Sequence, residues 1–273
     1  MREKILEVDH LSFAYDRDRD TLKDICLAIY QREKIAVLGA NGAGKTTFFL
    51  NLNGVREPTN GEIRYRGETI VRKNINRLRR NVGIVFQDAD SQIIASTVKA
   101  EVAFGPLNMK LPREEVEERT LRAVREMKLE EHVMRPPHYL SGGEKKRVSI
   151  ADILAMDSEV MIFDEPTASL DPVNAQVLEE VLDQIEQKGK TVLLSTHDVD
   201  FAYRFAQRVL VFCGGELIGD GTAEEIFRDE SLLRKANLKK PVLMQLYDLL
   251  KEKGKIGEAE ACPKKISDFA ALL

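Results

Sequence analysis

The chain lacks the features that mark a membrane-spanning, a secreted or a nucleic-acid-coating protein. No apolar run in its 273 residues approaches the length of about 18 residues that a membrane-spanning helix needs. The first ten residues, MREKILEVDH, are too charged for a signal peptide. The net charge is −4, so nothing indicates non-specific binding to nucleic acid. We therefore expect no membrane span, no leader and no nucleic-acid partner.

Cysteine is also scarce. The three cysteines, Cys26, Cys213 and Cys262, lie far apart in the sequence. Their odd count and spacing fit neither a disulfide framework nor a zinc motif. We expect buried or idle thiols in a reducing cytosol. Three histidines likewise match no motif and are expected to be structural: His10, His132 and His138.

The chain does have enough apolar residues for a globular core. Hydrophobic residues make up 43% and charged residues 32%, as in soluble globular proteins. Alternation over residues 6–15 predicts N-terminal strands. Continuous apolar runs predict buried strands of a parallel sheet that is covered on both faces; they lie at residues 35–39, 82–87, 160–163 and 191–195.

Helical patterns follow several of these strands. One helix is expected from Thr46 to near Gly54 and another over residues 113–129, whose apolar face carries Val116, Thr120, Ala123 and Met127. Residues 210–219 predict a hairpin, and Thr222 with Glu225 predicts a capping box that opens a helix.

The last 45 or so residues carry no strand signal and predict a small helical appendage. Two apolar stripes there need a covering surface, which either the chain's own core or a second copy could provide. The first stripe consists of Val242, Leu246, Leu249 and Leu250, and the second of Ile266, Phe269, Ala270 and Leu273.

The most informative motif is GANGAGKTT at residues 39–47, a P-loop of the form GxxxxGK[ST]. Its glycines let backbone N–H groups turn toward phosphate oxygens. Lys45 is expected to reach the β- and γ-phosphates, and the Thr46 hydroxyl to ligate Mg²⁺. A glycine-rich turn without function is the alternative, which the Lys-Thr pair disfavours. The predicted phosphate-binding residues are Gly39, Asn41, Gly42, Ala43, Gly44, Lys45, Thr46 and Thr47.

Two further motifs handle phosphate or metal. LSGGE, residues 140–144, is a Ser-Gly-Gly turn before a predicted helix, which makes an anion site. FDEP, residues 163–166, places Asp164 at the end of a buried strand, where it could hold Mg²⁺. Glu165 would then polarise and orient an attacking water. Taken alone, a strand-end Asp-Glu pair is usually a solvated loop entry.

Together and in this order, the motifs resemble those of the ATP-binding-cassette (ABC) ATPases, over roughly residues 1–228. The resemblance implies an α/β P-loop NTPase fold with a mostly parallel sheet and an N-terminal antiparallel β subdomain. It also implies a helical subdomain at about residues 91–157, a helical appendage at residues 229–273, and ATP and Mg²⁺ as cofactors. Each ATP would lie between the P-loop of one subunit and the signature turn of the other, which comprises Ser141, Gly142, Gly143 and Glu144.

The resemblance assigns further roles, one residue at a time. Gln87 would contact Mg²⁺ and water, His197 the γ-phosphate, and Tyr15 the adenine, although Tyr15 could also be a core residue. Asp171, in Ser169-Leu170-Asp171, would lie where two subunits meet. The implied catalytic set is Glu165, His197, Lys45 and Gln87; the implied Mg²⁺ ligands are Thr46, Gln87 and Asp164. Three positions depart from the usual pattern without removing a required group: Ala40, Glu144 and Asp152.

Three segments narrow the resemblance to energy-coupling-factor importers. FQDADSQIIASTVKAEVAFGPLNM, residues 86–109, is similar to that group, and residues 195–227 and 236–246 are most similar to its cobalt and nickel importer ATPase. The implied partners are an energy-coupling transmembrane subunit, a substrate-binding membrane subunit, and a second ATPase, identical or paralogous, at the cytoplasmic face of the membrane. A vitamin importer and, less favoured, an exporter remain open. The single cassette and the lack of a coiled-coil insertion disfavour translation and DNA-repair types.

Overall fold

The computed structural model describes residues 2–16, 19–168, 170–257, 262–270 and 272. Its framework is a four-stranded sheet of order β2-β1-β4-β5 and a six-stranded sheet of order β10-β9-β3-β8-β7-β6. The strands are β1 (Lys4–Asp16), β2 (Arg19–Tyr30), β3 (Lys34–Leu38), β4 (Asn60–Tyr65), β5 (Glu68–Thr69), β6 (Val82–Val85), β7 (Val160–Phe163), β8 (Thr191–Ser195), β9 (Arg208–Cys213) and β10 (Glu216–Thr222).

The six-stranded sheet is parallel except for its edge strand β10, which pairs antiparallel with β9. Every residue of β3, β6, β7 and β8 is buried, because helices and the other sheet cover both faces, as the continuous apolar runs predicted. The β6 strand ends at Val85. Gln87 therefore lies in the loop after the strand and not at its end.

Helices connect the strands and fill the faces of the sheet. They are α1 (Lys45–Leu52), α2 (Ile75–Asn81), α3 (Val98–Asn108), α4 (Arg113–Glu126), α5 (Gly142–Met156), α6 (Pro172–Gln187), α7 (Val199–Phe205), α8 (Ala223–Arg228), α9 (Glu230–Lys235), α10 (Val242–Glu252) and α11 (Ile266–Phe269). The predicted capping box of Thr222 and Glu225 opens α8. The four apolar-face residues predicted for α4 are all buried: Val116, Thr120, Ala123 and Met127.

Helices α3, α4 and α5, which lie between β6 and β7 in the sequence, pack on one another. The sequence predicts that four apolar residues of this region, Ile93, Ile94, Val98 and Val102, lie near its surface and that some of them belong to the core; Val98 and Val102 are the fully buried ones. The reason is that α3 turns this face toward α4 and α5. Ile94, in the loop before α3, is 70% exposed.

The C-terminal helices pack on the same core as the parallel sheet. Met244 and Tyr247 of α10 and Phe269 of α11 are buried in that core, and the Tyr203 hydroxyl donates to the Cys262 carbonyl at 3.0 Å. The predicted apolar stripe of α10 lies mostly on the outer side of the helix, where three of its residues are exposed: Val242, Leu246 and Leu249. Leu273, from the second predicted stripe, lies outside the described residues. Among the described residues, no helix is long and apolar enough to cross a bilayer.

Candidate active site

The P-loop lies between β3 and α1, at the carboxyl end of the central strand. Gly42 and Gly44 have φ angles of +79° and +106°, a left-handed region that glycine enters without strain. The Lys45 ammonium is buried and donates to the Gly39 carbonyl at 2.7 Å. The loop forms a cleft of about 300 Å³ that is lined by Thr21, Ala40, Asn41, Gly42, Ala43, Gly44, Lys45, Thr46, Thr47, Gln87 and Glu165. Except for Thr21 and Ala40, these were predicted site residues.

Asp164 follows β7, next to the P-loop. Its two carboxylate oxygens accept from two hydroxyls, Oδ2 from Thr46 Oγ1 at 2.6 Å and Oδ1 from Ser195 Oγ at 2.5 Å. Mg²⁺ takes oxygen ligands, commonly one or two from protein with the remainder from phosphate and water. The hydroxyl and carboxylate at the edge of this cleft fit such an ion, with Gln87 as a third oxygen donor on its wall.

Glu165 points away from its neighbour Asp164, toward the cleft. Its φ angle of +44° is unusual for a residue with a side chain, and its backbone N–H donates to Ser195 Oγ at 2.8 Å, which holds this turn. The buried carboxylate lies 3.5 Å from Lys45 Nζ and 2.9 Å from His197 Nδ1. Two adjacent carboxylates are thus directed to different partners, one to the hydroxyls and the other to a lysine and a histidine.

His197 and Tyr15 flank the cleft with little burial. The His197 side chain is 70% exposed even though its ring contacts Glu165. The Tyr15 hydroxyl lies 3.3 Å from Thr47 Oγ1, and the Arg56 guanidinium lies 5.4 Å from the Tyr15 ring centroid. Tyr15 is therefore a surface residue beside the P-loop and not a core residue, which suits a planar base stacked on its ring.

The signature turn begins α5 but does not line this cleft. Ser141 caps the helix, and a capping box with Glu144 closes it: Glu144 Oε2 accepts from the Ser141 N–H at 2.7 Å. The Ser141 hydrogen bonds hold the pKa of Glu144 below its usual range. His132 Nε2 lies 2.9 Å from Glu144 Oε1. Gly142 lines a neighbouring cleft of about 360 Å³ together with Gln87 and Leu170.

Asp171 caps the N-terminus of α6. It accepts from the Asn174 N–H at 2.9 Å and from the Asn174 side-chain amide at 2.7 Å. Asn174 in turn accepts from Arg147 of α5 at 3.0 Å. The segment after Glu165 is therefore tied to the helix that carries the signature turn. Ser169, the first residue of the predicted subunit-contact motif, lies outside the described residues.

Besides Thr21 and Ala40, two residues of this region were not found from the sequence. Ser195 bridges Asp164 and Glu165; its position as a polar residue at the carboxyl end of a buried strand was the available signal. Lys146 of α5 is buried and donates to the Phe86 and Gln87 carbonyls at 2.7 and 2.9 Å. Burial lowers the pKa of Lys146 to about 8, while Asp164 and Asp88 act in the opposite direction. No sequence pattern marks it, because helical lysines are usually solvated.

Comparisons with known proteins agree with this geometry. The family described as ABC transporter matches residues 22–168. A putative ABC transporter ATP-binding protein of Methanosarcina acetivorans is 50% identical over 92% of this chain and 77% of its own length. The energy-coupling factor transporter ATP-binding protein EcfA of Methanocaldococcus jannaschii is 45% identical over 92% of this chain and 91% of its own.

Solved structures show the same fold. The structure of cbiO1 from Clostridium perfringens, described as part of the ABC transporter complex cbiONQ, has a TM-score of 0.76 at 38% identity and covers 91% of this chain and 99% of its own. The ATP-binding cassette MJ0796, in a dimeric post-hydrolysis state with ADP and Pi, has a TM-score of 0.73 at 27% identity and covers 80% of this chain and 99% of its own.

The chain belongs to the ABC transporter family. It has the α/β fold of the ABC ATPase cassettes, with one antiparallel and one mostly parallel sheet. It is an ATP-binding ATPase.

Proposed function

We propose that this chain is the ATPase subunit of an energy-coupling-factor transporter that imports a transition metal ion, Co²⁺ or Ni²⁺, at the cytoplasmic face of the membrane. The observation that carries the transporter class is the near full-length similarity to EcfA of M. jannaschii. The metal is supported by the resemblance of residues 195–227 and 236–246 to the cobalt and nickel importer ATPase of this group. A vitamin is the second candidate cargo, because the EcfA proteins are named for the transporter class and not for a cargo. An exporter is disfavoured because residues 86–109 are similar to the energy-coupling-factor ATPases.

The cleft residues have different roles in hydrolysis. Backbone N–H groups of residues 39–47 and Lys45 bind the phosphates, and Thr46, Gln87 and Asp164 hold Mg²⁺, which when bound neutralises phosphate charge. Glu165 accepts a proton from the attacking water and orients it. His197, hydrogen-bonded to Glu165 at 2.9 Å, would hold that carboxylate and contact the γ-phosphate, while Tyr15 stacks on the adenine.

We infer that the signature turn acts on the ATP of a second subunit. Ser141, Gly142, Gly143 and Glu144 stand at the N-terminus of the 15-residue helix α5, where backbone N–H groups attract anions, yet none of the four lines the P-loop cleft of their own chain. Asp171 would contact the partner next to this turn. ATP binds the closed dimer more tightly than the open dimer and therefore stabilises the closed form. Hydrolysis removes that preference.

The membrane partner would dock near α3. Ile94 is 70%, Phe104 44% and Leu107 57% exposed, and such apolar side chains are typical anchors for a short helix in a groove. These residues follow Gln87 along the chain, so the docking surface can move with the cleft. Ile94→Asp is expected to weaken co-purification of the transmembrane subunit more than it lowers the ATPase rate of the free protein. Val71→Asp, at an equally apolar position that is 53% exposed on the β subdomain side, is the control.

The cargo is tested by uptake of radiolabelled metal in cells that carry the intact complex. We expect uptake of Co²⁺ or Ni²⁺ that stops with the Glu165→Gln variant. Uptake of a vitamin without metal would reject the cargo and leave the ATPase subunit assignment in place. Failure of any membrane protein to co-purify with the chain would reject the transporter role.

A further inference from the structure

Three possible metal ligands meet on the β1–β2 strand pair, and none of them lines the nucleotide cleft. Asp9 and His10 of β1 and Cys26 of β2 place a carboxylate oxygen, a ring nitrogen and a thiol sulfur all within 4.8 Å of one another. His10 and Cys26 are exposed. None of the three has a role in hydrolysis, so their grouping needs a separate explanation.

A β-bulge brings them together. Val8 pairs with Leu27 and Leu11 with Ile25, so Asp9 and His10 on β1 stand opposite the single residue Cys26 on β2. His10 adopts a φ of +50°, and its backbone N–H donates to Cys26 Sγ at 3.2 Å. Two consecutive side chains can therefore reach one sulfur, which a regular strand pair would prevent because successive residues point to opposite faces.

The neighbouring strand β4 fixes the bulge from its other side. A Cβ on Gly61 would lie 2.2 Å from the His10 carbonyl oxygen and 2.4 Å from that of Asp9. These separations are far below van der Waals contact, so only glycine allows β4 to approach the bulged backbone. The bulge is thus a built feature of the sheet, and the positions of its side chains follow from it.

His10 is oriented by a fourth residue. Asp24 Oδ1 lies 2.6 Å from His10 Nδ1, and Nε2, on the other side of the ring, faces Asp9 at 3.8 Å. Histidines that bind metals almost always donate their second ring N–H to a carboxylate or a carbonyl, which fixes the tautomer that leaves the first nitrogen free for the metal. The Asp24–His10 pair has this arrangement, with Nε2 directed toward Asp9.

The donor set selects the ion. Imidazole nitrogen with thiolate sulfur favours borderline divalent ions such as Zn²⁺ and Co²⁺ over Mg²⁺ or Ca²⁺, which prefer oxygen alone. Three protein ligands plus one water complete a tetrahedral site. The ligand atoms of such a site lie about 3–4 Å apart. Small rotations of the exposed side chains would therefore bring the three ligand atoms to the separations that a bound ion requires. Arg64 contacts Asp9 Oδ2 at 3.4 Å and leaves Oδ1 for the ion.

We propose that Asp9, His10 and Cys26 form a surface site for a divalent transition-metal ion such as Zn²⁺ or Co²⁺, with Asp24 as the carboxylate that positions His10. The ion would clamp β1 to β2 at the bulge. The sequence expectation of an idle Cys26 and a structural His10 is revised accordingly, because the ligands come from two strands and their spacing matches no linear zinc motif. The proposal does not depend on the transporter assignment.

The simpler alternative is that Asp9 and Asp24 only form ion pairs with a protonated His10. Hydrogen bonding to Asp24, with the nearby charge of Asp9, raises the pKa of His10. The two explanations differ at Cys26, because ion pairs between His10 and the two aspartates do not involve its thiol, whereas a metal site does.

The test is titration of the reduced, nucleotide-free full chain with Co²⁺, whose thiolate ligation gives a charge-transfer band in the near ultraviolet, followed by competition with Zn²⁺. We expect one ion per chain with this band. Cys26→Ser should remove the band and weaken Zn²⁺ binding at least tenfold. Asp24→Asn should keep the band and weaken binding about 10–100-fold, as losses of such supporting carboxylates do.

Cys213→Ser is the matched control for the loss of a partly exposed thiol and should bind like the parent. Cys26→Ser should also hydrolyse ATP at the parent rate, which separates this site from the nucleotide cleft. A charge-transfer band that survives Cys26→Ser, or no stoichiometric binding at micromolar Co²⁺ and Zn²⁺ between pH 6 and 8, would overturn the proposal.

Discussion

Lys146 donates a hydrogen bond of 2.9 Å to the main-chain carbonyl of Gln87. This contact joins the helix that begins at the signature turn to the loop that carries a cleft residue, and a second bond to Phe86 at 2.7 Å reinforces it. We therefore expect a change at Gln87 to reach α5 and its N-terminal turn, as the proposed two-subunit site requires.

Replacing Lys146 by Met should uncouple these elements. Met keeps the alkyl packing and removes the donor for two carbonyls, a loss of about 1–3 kcal/mol. We expect the ATPase rate to fall about tenfold with nucleotide affinity unchanged, measured by phosphate release and by binding of a fluorescent ATP analogue. Lys145→Met, which breaks only an ion pair with the exposed Asp90, should have little effect. Equal effects of the two variants would argue against a coupling role.

Glu165→Gln should keep ATP binding and slow hydrolysis by a factor of about 10²–10⁴, because an amide cannot accept the proton of water. The shape of the side chain and its proximity to Lys45 and His197 are retained. With ATP present, the variant should remain a closed dimer and elute earlier in size-exclusion chromatography. Turnover at the parent rate would remove Glu165 from the role of general base.

Ser141→Arg should abolish hydrolysis while the isolated chain still binds ATP, because the bulky side chain blocks the approach of a partner's nucleotide. The change also removes the cap of α5, at about 1 kcal/mol. Thr222→Arg removes the same kind of capping box from α8 and controls for this loss. A mixture of Ser141→Arg with Lys45→Ala should restore at most one working site per dimer. Normal activity of Ser141→Arg alone would contradict the two-subunit site.

Asp152 should make stability fall as pH rises. Burial, and then the nearby Glu101 carboxylate, raise its pKa from 3.8 to about 7, offset in part by the Gly105 N–H and Gln92. Its Oδ1 has no hydrogen-bond partner of normal geometry among the described residues. The folded protein therefore holds this proton more tightly than the unfolded chain, and stability decreases between about pH 4 and 7, by at most about 4 kcal/mol.

The Asp152→Asn variant removes that titration. Its melting temperature should exceed that of the parent by a margin that grows from pH 5 to pH 8, measured by differential scanning calorimetry. Glu118→Gln, an exposed change on α4, should show no such trend. A margin that is constant with pH would mean that Asp152 is ionised throughout.

The outer face of α10 is expected to contribute to a dimer that forms without nucleotide. Leu249 is 50% exposed on it, whereas Met244 on the inner face is fully buried. Leu249→Glu should lower the dimer fraction in analytical ultracentrifugation without lowering the melting temperature. Leu121→Glu, at a 38% exposed position on α4, serves as the control. An unchanged dimer fraction would mean that the outer face of α10 does not contribute to this dimer.

Local patterns predicted the buried strands well because the signal of a strand is short. The runs at 160–163 and 191–195 match β7 and β8 residue for residue, and the P-loop residues line a common cleft. The α10 helix shows the limit of this approach. It carries apolar residues on two faces, and periodicity alone does not say which face meets the core. Lys146 and Ser195 were missed for the related reason that their hydrogen-bond partners are distant in sequence.

The strand register of the parallel sheet sets the relative positions of the active-site residues. Val37 is paired with Ser195, and Phe163 with Leu194. The P-loop, Asp164 and His197 therefore follow the ends of neighbouring strands at the same edge of the sheet. A slip by one residue would turn each buried side chain to the opposite face, and for this reason the fully buried strands hold their alignment. The relative positions of the cleft residues are thus fixed by the packing of buried strand residues that do not line the cleft.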